Sequence, residues 1–498
     1  MTAVKFTLTP FDLFVLPTRT RFPFRYGIAS MTDVPQVFVR AQLLADGRHQ
    51  AGLAAEGLPP KWFTKNPSTT FEQDLPEMLA AIRHATTVAA AVARQPVTFF
   101  DLWREIDRQQ TAWAAARGMA SLLAHLGVSL VERAVLDALC RALGEPLHRL
   151  LRRDILALDL GSIYPELAAN PVGEFLPREP LGACAVRHTV GLGDPLTAAD
   201  VTPEERVDDG LPQDLESSIR AYGLRYFKIK LTGKGDVDLP RLKRIVALLD
   251  REAGADWLVT LDGNENFRDF ETFRAYWEAA LAWRALRSLW PRVLVVEQPV
   301  HRDRALIDEV GPALRVWADR PRLIVDESDG AVGDVPRALA LGYAGASHKN
   351  CKGIVKGLAN AAVLHDRRRS GGDVVLTGED LANLGPVALL QDLAMMALLG
   401  VTHVERNGHH YYRGLSMFPK EWQDAALAGH GDLYRRHEQG FPALRVVAGR
   451  LDLGTVNAAP FGVSPAFDPS VFERLPGSED PGPTLSEDPG STLDEGVV

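Results

Sequence analysis

Apolar and polar positions follow two different rhythms along this chain, and the change between them divides it. Near the N-terminus, Val37-Phe38-Val39-Arg40-Ala41-Gln42-Leu43-Leu44 runs into Asp46-Gly47, the pattern of a strand ending in a turn. Helical patterns follow, the clearest over Ser129 to Leu151. That stretch opens on Ser129-Leu130-Val131-Glu132, the spacing of a capping box. Leu130, Ala134, Val135, Ala138 and Leu139 then recur on one face until Gly144-Glu145-Pro146 interrupts them.

From about residue 182 to 420, short β-rich runs alternate with amphipathic stretches, which predicts parallel strands joined by helical crossovers. Eight runs stand out: Ala185–Val190, Tyr226–Leu231, Trp257–Asp262, Val293–Glu297, Leu323–Asp326, Ala344–Lys349, Val374–Thr377 and Val401–Glu405. Eight strand–helix units predict an α/β fold with a closed (β/α)8 barrel. An open doubly wound sheet is the alternative, but no Gly-rich nucleotide fingerprint follows any of the runs.

The expected organisation is an α+β capping domain over 1–160, the barrel over 182–420, and a C-terminal segment over 421–475 that returns to the cap. Residues 160–182 and 191–215 read as loops, the second above the first barrel strand. An acidic tail, 476–498, carries the near-repeat Ser478–Leu485 and Ser486–Leu493. Its Pro, Gly, Ser and acid content cannot bury a core, so disorder is expected there.

A chain of 498 residues has room for a barrel and a smaller partner domain. Net charge is −9, and no basic face suggests a nucleic-acid footprint, so a small anionic substrate is the expected partner. Cys140, Cys184 and Cys351 are too scattered for a disulfide framework or a zinc motif, and reduced thiols are expected. Met1 to Phe14 lacks a basic segment followed by an apolar core, and no apolar run approaches the roughly 20 residues of a membrane helix. A soluble, cytoplasmic protein without membrane contact is the expectation.

The chemistry lies at the ends of the predicted strands, which face the active site in such barrels. The second run carries Lys228 and Lys230 on one side, between Phe227, Ile229 and Leu231. The third, fourth and fifth are apolar runs that stop on Asp262, Glu297 and Asp326. One such ending suits a helix cap or a loop charge. Three in consecutive units, on strands roughly 4.8 Å apart, converge on one spot and repel unless a cation sits among them. Oxygen ligands without His or Cys favour Mg2+, with Mn2+ as substitute. A register one residue longer puts Glu327 in place of Asp326. Asn264 is a hydrogen-bond partner for this group or a cap for the following helix. The sixth run ends His348-Lys349-Asn350-Cys351-Lys352, so Lys349 lies across the barrel mouth from Lys230.

With these motifs the chain resembles the enolase superfamily, and within it the muconate lactonizing enzyme subgroup of the mandelate racemase/muconate lactonizing enzyme family. The matching stretches are Lys228-x-Lys230, Asp262-x-Asn264, Glu297-Gln298-Pro299, Asp326-Glu327-Ser328 and Lys349-x-x-Lys352. Ser129 to Leu151 resembles the family's cap helix, and Ala459-Pro460-Phe461-Gly462-Val463 its C-terminal turn. The resemblance implies a metal at Asp262, Glu297 and Asp326, an acid–base pair in Lys230 and Lys349, and Lys228 neutralising the substrate carboxylate. It implies α-proton abstraction from a carboxylate, leading to cycloisomerisation, racemisation, epimerisation or β-elimination. The alternatives are an acid-sugar dehydratase and a catalytically degenerate ligand-binding member. A homo-oligomer is the family habit.

The chain also departs from the pattern. The seventh run ends Thr377-Gly378-Glu379-Asp380, without the His of mandelate racemase-like members. The eighth lacks the paired aspartates of dipeptide epimerases, and Glu405 there is a candidate hydrogen-bond partner for substrate or base. His409, His410 and Arg413 read as solvated loop residues, with anion binding as the alternative. Phe22, Phe24, Tyr26 and Trp62 line the substrate pocket or belong to the cap core.

Overall fold

The computed structural model describes residues 3–168 and 171–476, so most of the predicted tail lies outside the described residues. Eight parallel strands form the barrel: Ala183–Val190, Tyr226–Lys230, Leu258–Asp262, Val293–Glu297, Leu323–Val325, Gly345–His348, Val375–Gly378 and His403–Arg406. Each pairs with the next, and the eighth pairs back onto the first through Val404↔Val186 and Glu405↔Arg187, which closes the ring. The open-sheet alternative is excluded. Three strands stop one residue short of their predicted ends, the second at Lys230 rather than Leu231. The fifth ends at Val325 and the sixth at His348, so Asp326 and Lys349 are the first residues beyond their strands.

The cap is an antiparallel sheet centred on the long hairpin Asp12–Tyr26 and Ala29–Ala45, extended by Arg48–Gly57 after the predicted Asp46-Gly47 turn. Helices Phe71–Val92, Phe99–Ala115 and Ser121–Leu143 cover it. The third of these presses on Arg48–Gly57 so closely that a Cβ on Gly52 would meet Ala134 O at 2.2 Å. Only glycine permits that approach. The chain then returns twice: Arg450–Asp452 pairs with the first barrel strand, and Glu473–Arg474 pairs with Asp12–Tyr26.

The capping-box expectation at Ser129 fails. The helix begins eight residues earlier, at Ser121, and ends at Gly144 in the left-handed conformation, before a separate short helix Leu147–Arg152. Ser129 and Glu132 are fully buried in its middle and serve the barrel instead. Ser129 Oγ donates to Asn350 O. Glu132 accepts from Ile354 N at 2.7 Å and Val355 N at 3.0 Å, capping the helix Ile354–Arg369 that follows the sixth strand. The polar spacing is real, but its partners are far away in sequence.

Among the described residues, the stretches read as loops hold only short 3-10 turns and a four-residue helix before the α-helix Leu215–Tyr222 begins. The segment 191–214 is tied to the cap through Leu192 N, which donates to Arg25 O at 3.2 Å, and through Arg21. Arg21 Nε and Nη2 bind Asp209 at 2.5 and 2.8 Å, and Nη1 donates to His410 O at 2.6 Å. The hairpin strand that carries Phe24 and Tyr26 is thereby fastened to the barrel mouth. Among the described residues no helix is long and apolar enough to cross a membrane.

Candidate active site

On the second barrel strand Phe227 and Ile229 pack outward into the core, so alternation turns Lys228 and Lys230 inward, 1% and 7% exposed. Lys228 Nζ lies 3.0 Å from Asp262, 2.8 Å from Glu297, 2.7 Å from Glu379 and 3.0 Å from Glu405. Burial alone would discharge this amine, but the four carboxylates outweigh it and push its pKa well above the usual lysine range. Lys230 Nζ binds Asp262 Oδ2 at 2.6 Å.

Across the mouth, Lys349 Nζ binds Asp326 Oδ2 and lies 4.5 Å from the centre of the Trp62 ring. Burial lowers the Lys349 pKa, but Asp326 and other nearby carboxylates raise it above the ordinary value. Lys352 reaches the other oxygen of Asp326 at 2.8 Å and donates to Ser347 O at 3.1 Å. Asp326 is buried, yet Lys349 and Lys352 hold its carboxyl well below the usual range. Glu297 behaves oppositely. Burial, with Asp262 and Glu379 beside it, pushes its pKa well up.

Asp262, Glu297 and Asp326 therefore sit in one buried charge network. Glu327 is buried too, because the chain bends away as the fifth strand ends. Its Oε1 accepts from Asn264 Nδ2 at 3.4 Å, and burial, then Asp326, raise its pKa to about 7. Asn264 does not cap the next helix. Asp269 does, accepting from Thr272 N at 2.9 Å, while Asn264 N donates to Asp262 Oδ1 at 2.8 Å.

The donor chemistry suits a hard cation. Glu297 Oε2 lies near Lys228 but off the hydrogen-bonding direction, and it, Glu327 Oε2 and Asn264 Oδ1 are buried oxygens without a hydrogen-bond partner. Among the described residues no three His, Cys, Asp or Glu side chains are gathered tightly enough to clasp an ion as they stand. Lys228 and Lys230 are the ion-pair partners of Asp262, and Lys349 and Lys352 those of Asp326.

Three contributors escaped the sequence reading. Glu379, just past the seventh strand, is fully buried between Lys228 and Arg187, and Arg187 Nη2 donates to it at 2.5 Å. Thr189 donates to Glu405 at 2.7 Å, and Glu405 also accepts from Asp380 N at 3.0 Å. Glu379 carried the same signal as the other acids, a run ending on a carboxylate. Arg187 and Thr189 lie inside the first run, where only strand phase separates inward from outward. His409 and His410 are not solvated: they are 8% and 2% exposed, and His188 Nδ1 meets His409 Nε2 at 3.1 Å.

Lys230, Lys349 and Glu405 open on one cavity, walled by Phe24, Tyr26, Met31 and Trp62 from the cap and by Leu381 and Ala382 from the barrel. Phe22 is not among its lining residues and packs on His410 and Tyr411 instead. A second cavity, beside Tyr222 and Tyr434, shares only Asp380 with it and holds no lysine.

No family model and no curated protein matches the sequence. Solved structures do. A mandelate racemase/muconate lactonizing protein from Herpetosiphon aurantiacus aligns at a TM-score of 0.57 and 17% identity, over 92% of this chain and 98% of that one. The chain has the enolase-superfamily fold. A muconate lactonizing enzyme from Pseudomonas fluorescens, complexed with muconolactone, aligns at 0.57 and 16%, over 94% and 99%. An enolase from Bradyrhizobium, complexed with magnesium and mandelic acid, aligns at 0.54 and 15%, over 90% and 93%. The barrel mouth with its antiparallel cap is thus the part of the enolase-superfamily fold on which the charged network stands.

Proposed function

We propose that the chain is a Mg2+-dependent isomerase or lyase that removes the α-proton of a carboxylate substrate. The observation that carries this reading is the placement of Lys230 and Lys349. They come from the second and sixth strands of eight, from opposite sides of the mouth, and open on one cavity beside the acids.

Asp262, Glu297 and Asp326 are the residues that would hold the metal, with Mn2+ as substitute, and Asn264 and Glu327 stand beside them. Bound there, magnesium supplies electrophilic stabilisation to the substrate carboxylate. Everything else falls to the chain. One lysine accepts the proton as the C–H bond breaks, and the electron pair passes into the carboxylate to give a dianionic enolate. The positive charge of Lys228 sits within the network that faces this dianion. The cap wall of Phe24, Tyr26 and Trp62 excludes water, which strengthens each of these charges.

Return of a proton from the opposite lysine gives racemisation or epimerisation. Ring closure on the enolate gives cycloisomerisation, and loss of a β-substituent gives elimination. The neighbours complexed with mandelic acid and muconolactone bind carboxylates of this kind. The test is α-proton exchange in D2O followed by NMR, with and without magnesium. Lys230→Ala and Lys349→Ala are expected to abolish turnover with the circular dichroism spectrum intact. Full rates in both variants would overturn the assignment.

A further inference from the structure

Lys228 stands between two pairs of acids, and one pair alone belongs to the proposed metal site. Asp262 and Glu297 end the third and fourth strands. Glu379 follows the seventh strand and Glu405 lies in the eighth, across the ring from them. An ammonium has three N–H donors. Those of Lys228 go to Glu297 Oε1 at 2.9 Å, Glu379 Oε2 at 2.7 Å and Glu405 Oε2 at 3.0 Å. Asp262 Oδ2 lies 3.0 Å away, in ion-pair range.

The two far acids have anchors of their own. Glu379 N donates to His348 O at 3.0 Å, and its Oε1 accepts from Arg187 Nη2 at 2.5 Å. Glu405 accepts from Thr189 Oγ1 at 2.7 Å and from Asp380 N at 3.0 Å. A dication entering among Asp262, Glu297 and Asp326 would compete with the Lys228 ammonium for two of these carboxylates and repel it. Buried and 1% exposed, that ammonium cannot turn to water. It keeps two of its three hydrogen bonds because Glu379 and Glu405 remain. Glu379 makes the shorter of the two, and its second oxygen is already fixed by Arg187.

We propose that Glu379 is a positioning residue for the metal site: it holds the Lys228 ammonium on the seventh-strand side of the barrel axis, so that Asp262 and Glu297 are free to take the cation. This rests on the reading of Asp262, Glu297 and Asp326 as the metal ligands. Without the Glu379 charge, Lys228 falls back on Glu297 and Asp262, and magnesium must displace it. Glu379→Gln makes that change at nearly constant volume. The amide oxygen still accepts from Arg187, and the amide N–H2 meets Lys228 donor against donor.

The test is a double-mutant cycle read by calorimetric titration with magnesium chloride: the unaltered protein, Glu379→Gln, Lys228→Met and the double variant. Glu379→Gln is expected to weaken magnesium binding by about tenfold or more. In the Lys228→Met background the same substitution is expected to change affinity by less than about threefold, because no ammonium is left to hold. Equal losses in both backgrounds overturn the proposal, since Glu379 would then act by its own field or through the fold. Unchanged affinity in Glu379→Gln overturns it as well. Glu379→Asp, which draws the carboxylate back from Lys228, and Lys228→Gln replace whichever variant circular dichroism shows unfolded. Exchange of the α-proton in D2O is followed on the unaltered protein. No magnesium binding there sinks the metal reading and this proposal together, and binding without the coupling sinks the proposal alone. Coupling without exchange leaves the role of Glu379 standing and sinks the proton-abstraction reading.

Discussion

Glu132 Oε2, in the middle of a cap helix, accepts the backbone N–H of Ile354, the first residue of the helix that follows Lys349 and Lys352. Its other oxygen takes Val355 N at 3.0 Å. One buried side chain thus fastens the cap to the segment that carries the sixth-strand lysines. Glu132→Ala leaves two buried amides without an acceptor, each costing about 1–3 kcal/mol. A clear fall in the urea midpoint is expected. An unchanged midpoint would show that water replaces the carboxylate.

Lys228 is the common counter-ion of Asp262, Glu297, Glu379 and Glu405. Lys228→Met keeps the bulk of the side chain but leaves those acids facing each other, with Arg187 as the remaining cation on Glu379. Removing one partner from a buried ion pair costs about 3–5 kcal/mol. The metal-free variant is expected to lose that much stability, and magnesium is expected to raise its melting temperature more than that of the unaltered protein. Equal magnesium responses would mean that Lys228 and the metal do not serve the same carboxylates.

Gln298 joins two of the proposed ligands. It follows Glu297, and its Oε1 accepts from Asp326 N at 2.9 Å and Ser328 N at 3.2 Å. Its Nε2 donates to Val300 O at 2.9 Å and Ser328 Oγ at 2.8 Å, so the amide is fully used. The backbone accepts a φ of 34° to put it there. Gln298→Ala is expected to weaken magnesium binding about 10- to 100-fold while the protein remains folded at the assay temperature. Unchanged affinity by calorimetry would assign Gln298 to stability alone.

What could be read from the sequence follows from how each residue signals itself. Asp262 and Glu297 end apolar runs, and a carboxylate after such a run is conspicuous whatever surrounds it. Lys228 and Lys230 are separated by apolar residues, so strand phase alone turns both inward. Arg187 has the same phase but sits mid-strand, with nothing in its neighbours to mark it. His409 and His410 look like loop residues beside Asn407-Gly408, yet Phe22 packs on His410 across almost 400 residues of chain, and His188 and Tyr222 pack on His409. Ser129 and Glu132 mislead for the same reason, since a local capping pattern was the nearest explanation for polar groups whose partners are distant. Local period predicts the barrel; long-range burial decides which polar residues belong to the site.

The pH dependence of stability follows from Glu132 as well. Burial raises its pKa from 4.5 to about 7, although the Val355 and Ile354 amides pull the other way. The folded protein then holds the proton more tightly than the unfolded chain. The stability from this group is fully present below about pH 4.5 and is lost as pH rises to about 7. Glu132→Gln keeps an oxygen acceptor and removes the titration. Glu56 and Glu327, also raised to about 7 by burial, titrate in both proteins and cancel in the difference. The stability of the unaltered protein relative to Glu132→Gln is expected to fall by about 3 kcal/mol between the two limits. Urea unfolding of the pair at half-unit steps measures it, and parallel curves would mean that Glu132 ionises as freely in the folded protein as in the unfolded chain.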